Sequence, residues 1–351
     1  MTEQLKLKLN DSKATRWGAL VIVAFTMMAA YYVNDVVAPL KTMLETDLAW
    51  SSTDFGFFTG GYSFLNVFFL MLIWGGLILD RFGIRFTGKL ATILMVGGTA
   101  LEYYAMTGLA GADATLFGIN EIFGYKTGVF VAFAGYSIFG VGAEVAGITV
   151  SKIIAKWFKG KELATAMGVQ VALARIGSQA GYAVAIPLAR AFGISTPVLL
   201  GLVLLLGGMI AFFIFAVMDK KLDKQMEAAA IAAGTEDEEE KFSFKDVKNI
   251  LVNPGFWLIA LLCVLFYSCV FPFQKFASEL MIIKYGINEN VAGTFAGLPA
   301  LGALILTPVF GGFIDKRGKS ASIMLLGSAM LICVHFIYAI PDINYWLVAI
   351  V

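Results

Sequence analysis

Long uninterrupted runs of apolar residues, rather than alternating apolar and polar positions, dominate this chain. A helix of about 20 apolar residues crosses the hydrocarbon core of a bilayer, and in lipid its backbone polar groups pair within the helix. The runs therefore predict nine complete membrane-spanning helices and the start of a tenth at residue 343. The nine predicted spans are residues 17–38, 55–79, 90–110, 127–151, 162–188, 195–218, 256–278, 291–314 and 321–340.

One long polar segment, from Asp219 to about Pro254, interrupts this series after the sixth span. Its acidic run "EDEEE" has too little apolar surface to order itself, which is typical of a flexible linker. The prediction is a six-helix bundle at 1–218, a cytoplasmic linker at 219–254 and the start of a second bundle at 255–351. Because Val351 falls inside the tenth span, the full-length product is expected to continue and the second bundle to be incomplete here.

Composition agrees with the spans, since 59% of the residues are hydrophobic and only 15% are charged, which excludes an ordinary soluble protein. Lys and Arg concentrate in cytoplasmic loops of membrane proteins. Of the 26 basic residues, 20 fall in segments on one side of the predicted map, and that side includes the N-terminus. The N-terminus is therefore predicted to be cytoplasmic. Arg175 lies inside a span, and five residues are assigned to the opposite side: Lys41, Lys126, Arg190, Lys275 and Lys284.

A short glycine, aspartate and basic pattern occurs twice, as "GGLILDRFGIRFTGK" at 75–89 and "GGFIDKRGKS" at 311–320. Both copies follow the second span of a predicted bundle, which indicates an internal repeat. The first copy comprises Gly76, Asp80, Arg81, Gly83 and Arg85, and the second Gly311, Asp315, Lys316, Gly318 and Lys319. Parallel repeats with the solute held between them at mid-depth characterise a large class of secondary transporters.

These copies resemble the G-x-x-x-D-R-x-G-x-R/K signature of the major facilitator superfamily, with Ile84 where a basic residue is usual. The resemblance implies an all-helical membrane fold of two pseudo-symmetric six-helix bundles. Glycines would let helix ends approach closely, and Asp80 or Asp315 would accept hydrogen bonds from a neighbouring helix N-terminus. Such contacts would lock the cytoplasmic side and break when the bundles rock. If these segments only held their loops on the cytoplasmic side of the membrane, the basic residues would be explained, but the glycines and aspartates would not.

Charged residues inside spans are costly unless they are paired or face water, so they are candidates for function. Glu144 and Arg175 lie within the fourth and fifth predicted spans. One interpretation is that Arg175 meets a carboxylate and Glu144 an amine of a zwitterionic substrate. The alternative is that they pair only with each other. The two interpretations are compatible, since such a pair could open to admit the substrate.

Other polar residues extend the candidate site. Gln179 makes the Arg175 face of its helix polar, and Tyr267 and Gln274, near Pro272, are predicted to line the opposite wall. Glu102 is an intramembrane carboxylate that would carry a coupling proton or merely face a lumen. Asp35, at the outer end of the first span, is expected to lie at the membrane interface.

Two further stretches, "WFKGKELATAMGVQVALARIGS" and "FPF", with "GGLILDRFGIRFTG", resemble the family of major facilitator superfamily domain-containing protein 1, the lysosomal dipeptide transporter, and its prokaryotic relatives. The resemblance implies dipeptide transport, and Glu144 and Arg175 match the charged binding pair of that family. The animal protein has a glycosylated accessory subunit. Because the N-terminus lacks an acidic dileucine lysosomal signal and the last two or three spans are missing, neither lysosomal residence nor an accessory subunit is expected, and a bacterial plasma membrane is. The protein is expected to be a monomer.

The leading hypothesis is a secondary active or facilitative transporter that moves a small zwitterion, a dipeptide by resemblance, by alternating access. A transporter of a small organic or inorganic anion would use Arg175 and leave Glu144 unexplained. A transport-inactive sensor or scaffold is the alternative from another class. No phosphate-binding loop or metal cluster is evident and there is one histidine, so no enzyme, cofactor or nucleic-acid partner is expected.

Overall fold

Helices make up nearly all of the structure, a computed structural model that describes residues 8–111, 114–233, 249–317, 320–341 and 344. The helices are α1 Lys13–Val36, α2 Lys41–Asp47, α3 Ser52–Phe68, α4 Met71–Thr107, α5 Thr127–Trp157, α6 Leu163–Phe192, α7 Thr196–Ala233, α8 Pro254–Ile283, α9 Glu289–Arg317 and α10 Ser320–Ala339. Strands β1 Glu121–Ile122 and β2 Tyr125–Lys126 form a hairpin between α4 and α5.

All nine predicted complete spans correspond to helical segments, and the predicted tenth falls almost wholly outside the described residues. By length and composition, α1, α5, α7, α8, α9 and α10 qualify as membrane spans, and the bent pair of α3 and α4 qualifies together. Helix α6 is not among them, because Arg175 and other polar residues lower its mean hydropathy. The chain is a multi-pass integral membrane protein with the predicted all-α fold.

Two backbone positions interrupt the helices of the α3–α4 region, Leu70 within the predicted second span and Gly83 between the predicted second and third spans. Leu70 adopts left-handed dihedral angles, φ 52° and ψ 37°, at a break where α3 and α4 meet at 58°. Gly83 is non-helical within α4, with φ 74° and ψ 173°. Only glycine adopts that conformation readily. The glycine of the first motif copy is therefore needed for the turn between two spans.

Small residues let the helices of the first bundle approach closely. A Cβ atom on Gly177 of α6 would lie 2.1 Å from the Met28 carbonyl oxygen of α1, and one on Gly98 of α4 would lie 2.4 Å from the Phe139 backbone nitrogen of α5. Those distances leave no room for a side chain. Close backbone contact of this kind holds membrane helices together without a hydrophobic driving force.

The end of α7 differs from the sequence prediction. The helix continues to Ala233, so the first part of the predicted linker is helical, while residues 234–248 lie outside the described residues. Asp219 is fully buried and accepts hydrogen bonds from Trp157 Nε1 at 3.0 Å and Lys156 Nζ at 2.7 Å. These bonds anchor the helical extension to α5, and the pattern of apolar residues alone gave no signal for them.

The two bundles meet at one end of the molecule, where α1 ends and α3 begins. We call this the hairpin end, because β1 and β2 lie there, and the opposite one the N-terminal end. Helix α9 packs along α6, and Arg190 of α6 donates to Asn290 Oδ1 at 2.7 Å. Ion pairs Arg190–Glu289 and Lys41–Glu279 also connect the bundles there.

Four side chains clasp the first turn of α1 and the segment before it to the loop that joins α5 and α6. Arg16 Nη2 lies 2.7 Å from Glu162 Oε2, and Lys161 Nζ lies 2.6 Å from Asp11 Oδ1. The Lys161 hydrogen bond and the Lys8 backbone N–H lower the pKa of Asp11, and the Arg16 hydrogen bond lowers the pKa of Glu162. Both carboxylates are solvent-accessible, so the clasp is a modest contribution to stability.

The clasp predicts a definite pH dependence. Because both pKa values are lowered in the folded protein, the stabilisation is fully present above the ordinary carboxyl pKa of about 4 and is lost as pH falls through the lower folded values. The melting temperature of the wild type minus that of an Asp11→Asn, Glu162→Gln double variant should be positive at pH 7 and approach zero below about pH 4. A difference that persists in acid would contradict this assignment.

Candidate functional site

A cavity of about 510 Å³ lies between the two bundles, enclosed by α1, α3 and α5 on one side and α8 on the other. Aromatic and small residues make up much of its wall. The polar or charged side chains that line it include Tyr31, Asn34, Asp35, Tyr62, Glu144, Gln274 and Lys275. Its size is that of a pocket for a small organic molecule.

Glu144 points into this cavity from α5. Its Oε1 accepts a hydrogen bond of 2.8 Å from the Tyr62 hydroxyl of α3. The contact is possible because Gly140 admits the α3 backbone, where a Cβ atom would lie 2.4 Å from the Tyr62 carbonyl oxygen. The carboxylate is half-buried and is held by a neutral donor, so its charge is available to a ligand.

Arg175, on α6, does not line this cavity but lies beside a residue that does. Its guanidinium carbon is 5.8 Å from the centre of the Tyr31 ring, and Tyr31 itself lines the cavity. Among the described residues, no carboxylate comes within ion-pair distance of Arg175, so the alternative of a Glu144–Arg175 pair is not formed in this conformation. A guanidinium over an aromatic face keeps its N–H groups free for hydrogen bonds in its plane.

A charged pair of Asp35 and Lys275, both predicted to lie at the outer side, connects the bundles within the cavity. Lys275 of α8 donates to the Asn34 carbonyl oxygen at 2.6 Å and to the Tyr136 hydroxyl at 3.1 Å, and its Nζ is 3.8 Å from Asp35 Oδ1. Asp35 is 9% exposed, which contradicts the expected exposure at the interface, and Lys275 lies inside helix α8 and lines the cavity although it was assigned to the outer side. The available signal was that Lys275 falls inside the predicted span 256–278.

The remaining predicted binding residues are dispersed. Gln274 lines the cavity, and its backbone carbonyl accepts from the Tyr182 hydroxyl at 3.0 Å. Tyr267 lies instead at a separate pocket of about 270 Å³ and stacks on Phe271, with ring centres 4.9 Å apart. Gln179 lies where α6 meets α9, because a Cβ atom on Gly297 would be 2.5 Å from its Oε1.

Glu102 is completely buried on α4, away from the cavity lining. Neither carboxylate oxygen has a hydrogen-bond partner among the described residues. Burying an unpaired carboxylate charge costs several kcal/mol. Glu102 therefore lowers the stability of the folded protein unless its carboxyl group is protonated or hydrated. The structure therefore separates Glu102 from direct ligand contact and leaves its predicted role in proton coupling as a prediction.

Replacement of Glu102 by Met is expected to raise the free energy of unfolding by about 1–3 kcal/mol, the usual cost of a buried unsatisfied polar group. Met has a similar shape and no hydrogen-bonding requirement. Thermal unfolding in lipid nanodiscs measures the change, and Glu102→Gln, which keeps a polar group at the same position, is the matched control. A lower melting temperature for the Met variant than for the Gln variant would show that a partner stabilises Glu102.

The first motif copy forms contacts at the N-terminal end of the first bundle. Asp80 pairs with Lys152 of α5 at 3.0 Å rather than with helix amides, and Arg81 lies exposed over the Phe82 ring. Arg85 binds Asp219 and Asp223 of α7. Gly76 has open space where a Cβ atom would be, so the close approach predicted for it is absent in this conformation.

The second motif copy lies at the end of α9. Asp315 and Lys316 are in its last turn, and their side chains lie outside what the structure describes, as do Gly318 and Lys319. The predicted gating role of both copies stays a prediction. Within the described ranges, no group of three His, Cys, Asp or Glu side chains is placed to hold a metal ion.

Comparison with known proteins places this architecture among transporters. The family model described as Major Facilitator Superfamily matches residues 18–351. Similar curated proteins are the lysosomal dipeptide transporter MFSD1 of Homo sapiens, 27% identical over 95% of this chain and 68% of that protein, and of Gallus gallus, 30% identical over 61% and 49%.

Two solved structures share the fold. The D-xylose–proton symporter has a TM-score of 0.55 and 15% identity, over 86% of this chain and 69% of that one. A partially occluded inward-open xylose transporter XylE from E. coli has a TM-score of 0.56 and 16% identity, over 87% and 74%. At these identities the likeness concerns the fold alone.

Proposed function

Because this chain belongs to the Major Facilitator Superfamily, we propose that it is a transporter that carries small zwitterionic solutes, specifically dipeptides, by alternating access. Facilitated uniport is the form that needs the fewest assumptions, since it requires only a binding cavity and two bundles that rock. Proton coupling through Glu102 is the secondary active form of the same proposal.

The charge arrangement of the cavity is the observation that carries the proposal. Glu144 presents an anion on one wall, and Arg175 presents a cation beside Tyr31, which lines the same space. A dipeptide has an ammonium and a carboxylate at its two ends. An amine that meets Glu144 and a carboxylate that meets Arg175 would form charge-assisted hydrogen bonds, which are the strong ones in proteins.

The identity of the substrate as a dipeptide rests on similarity. Several curated relatives at 25–30% identity are named lysosomal dipeptide transporters. A cavity of about 510 Å³ accommodates a molecule of that size. A small anion would use Arg175, but it would leave the Glu144 carboxylate without a counter-charge in a partly desolvated space.

The distribution of contacts supports a conformation closed at the hairpin end. The ion pairs Lys41–Glu279 and Arg190–Glu289 lie there, and Phe55 meets Phe276 at 5.5 Å between ring centres. At the N-terminal end, the described residues form no ion pair or hydrogen bond between the bundles. We therefore interpret this state as open towards the N-terminal end.

The N-terminal end is proposed to face the cytoplasm, because most basic residues are on that side. The open state is then inward-facing. The curated relatives are named lysosomal proteins, and the expected bacterial plasma membrane stays a prediction, as do the monomer and the lack of an accessory subunit.

Uptake of a labelled dipeptide into liposomes that contain the purified protein tests the function. The expected result is accumulation to the external concentration without a pH gradient, and faster exchange when the liposomes are preloaded with unlabelled dipeptide. Liposomes with a Glu144→Gln, Arg175→Ala variant are the matched control. Uptake no greater than in empty liposomes would favour a sensor or scaffold, and uptake of small anions in place of peptides would favour the anion transporter.

A further inference from the structure

Two phenylalanine side chains at the hairpin end project from the protein with nearly all of their surface exposed. Phe117 is 94% exposed and Phe123 is 90% exposed. Both lie in the connection between α4 and α5, and each is at the tip of a tight turn. A large aromatic side chain in water is unfavourable, so two such residues in one short connection need an explanation.

The backbone makes these residues still more unusual. Phe117 and Gly118 have φ values of 54° and 78°, and Phe123 and Gly124 have 52° and 80°. Leu116 and Ile119 exchange backbone hydrogen bonds of 3.0 Å around the first turn, and Ile122 pairs with Tyr125 around the second. Two consecutive positive φ values define the type I′ turn, whose first position favours Asn, Asp or Gly. Phenylalanine is strained there.

Phe123 continues an aromatic surface that extends into the membrane region. Its ring centre is 6.0 Å from Phe130, in the first turn of α5, which is 6.2 Å from Phe133. Phe133 contacts Phe64 of α3 at 5.2 Å. Phe64 is 39% exposed on a membrane-spanning helix, as expected for a side chain that faces lipid. The tip of the hairpin therefore lies at the outer end of a lipid-facing surface.

The hairpin is attached firmly enough to hold this orientation. Thr127 Oγ1 donates to the Ile119 carbonyl oxygen at 2.8 Å, and the Thr127 backbone N–H donates to the Asn120 carbonyl oxygen at 2.9 Å. Lys126 Nζ donates to the carbonyl oxygen of Ala49, before α3. Tyr125 stacks on Phe57 with ring centres 3.9 Å apart. The tips are thus exposed on a rigid support.

We propose that the two turns of the α4–α5 connection form a lipid anchor, in which Phe117 from the first turn and Phe123 from the hairpin insert into the headgroup region of the bilayer leaflet at the hairpin end. Aromatic side chains favour that interfacial layer, and insertion removes their apolar surface from water. The anchor would fix the first bundle relative to the membrane, so that the second bundle moves against a fixed partner. The inference does not depend on what the protein transports.

Accessibility of spin labels in nanodiscs tests the anchor. Nitroxides are attached at Phe117→Cys, Phe123→Cys or, as the control in the same hairpin, Glu121→Cys, with Cys263, Cys269 and Cys333 replaced by Ser. Labels at 117 and 123 should be relaxed more by oxygen than by a water-soluble nickel complex, and the label at 121 more by nickel. Equal nickel accessibility at all three sites overturns the proposal and indicates a surface for a protein partner instead.

A second measurement, made on the protein with its native cysteines, compares melting temperatures. The change has opposite signs for tips that lie in water and tips that are inserted in lipid. Asn suits the strained turn position better than Phe, so a Phe117→Asn, Phe123→Asn variant should be more stable if the tips are in water. If they are inserted in lipid, the variant loses that insertion and its melting temperature in nanodiscs falls. A rise or no change contradicts the anchor.

Discussion

Replacement of Lys275 by Met is expected to lower the free energy of unfolding by roughly 3–5 kcal/mol, which is the usual effect of removing one partner from a buried charge pair. The variant leaves Asp35, which is 9% exposed, as an uncompensated charge between α1 and α8. It also removes the donor to the Asn34 carbonyl oxygen, a direct hydrogen bond between the bundles. Thermal unfolding in nanodiscs measures the loss.

The matched control is the double variant Asp35→Asn, Lys275→Met, which removes both charges. Because the large cost comes from the unpaired charge, the double variant should recover much of the stability lost by Lys275→Met alone. Asp35→Asn alone should be destabilised as well, since it leaves Lys275 unneutralised. If the double variant is as unstable as the sum of the single variants, the two groups are not coupled and the 3.8 Å contact has no energetic role.

The Arg175→Ala variant is expected to bind dipeptides about 10- to 150-fold more weakly, which corresponds to loss of a charged hydrogen bond worth about 1.5–3 kcal/mol. Glu144→Gln should weaken binding by a similar factor. Both residues are half-buried and outside any ion pair in the described residues, so folding should be largely retained. The readout is the dipeptide-induced rise in melting temperature, since binding stabilises the folded state by mass action.

Chemically blocked peptides assign each end of the ligand to its residue. An N-acetylated dipeptide lacks the amine, so its binding should be insensitive to Glu144→Gln, while a C-amidated dipeptide should be insensitive to Arg175→Ala. Tyr62→Phe removes only the 2.8 Å hydrogen bond to Glu144 and should have a smaller effect than either substitution. If blocking either end changes nothing in both variants, the two residues do not bind the peptide termini.

The helices and their order were predictable from the sequence because continuous apolar runs leave little choice of structure in a bilayer. The break at Leu70 was not, since nothing in "FFLML" marks a left-handed residue. Nor was the extension of α7 to Ala233, because it depends on Asp219 being held by Lys156 and Trp157 from another helix. The break and the extension depend on contacts with other helices, which cannot be identified from a single sequence.

For the candidate site, the sequence identified residues that are rare in membranes, but not which of them share a cavity. Glu144 and Gln274 line one space, whereas Tyr267 and Gln179 lie elsewhere. Asp35 and Lys275 were missed because each was near the end of a span, where exposure to water is the cheaper expectation. Their burial depends on how the two bundles meet, which no local pattern encodes.

The close contact between Gly177 of α6 and Met28 of α1 determines which helices move together when the conformation changes. Backbones that touch without intervening side chains resist sliding, so α1 and α6 travel together and carry Tyr31 and Arg175 as one unit. In the proposed alternating-access cycle, Lys275, on the other bundle, leaves the Asn34 carbonyl oxygen when the hairpin end opens. Under that proposal the ammonium needs a new oxygen in the other state, and a solute that supplies one would lower the barrier to reorientation. The empty carrier would then return more slowly than the loaded one.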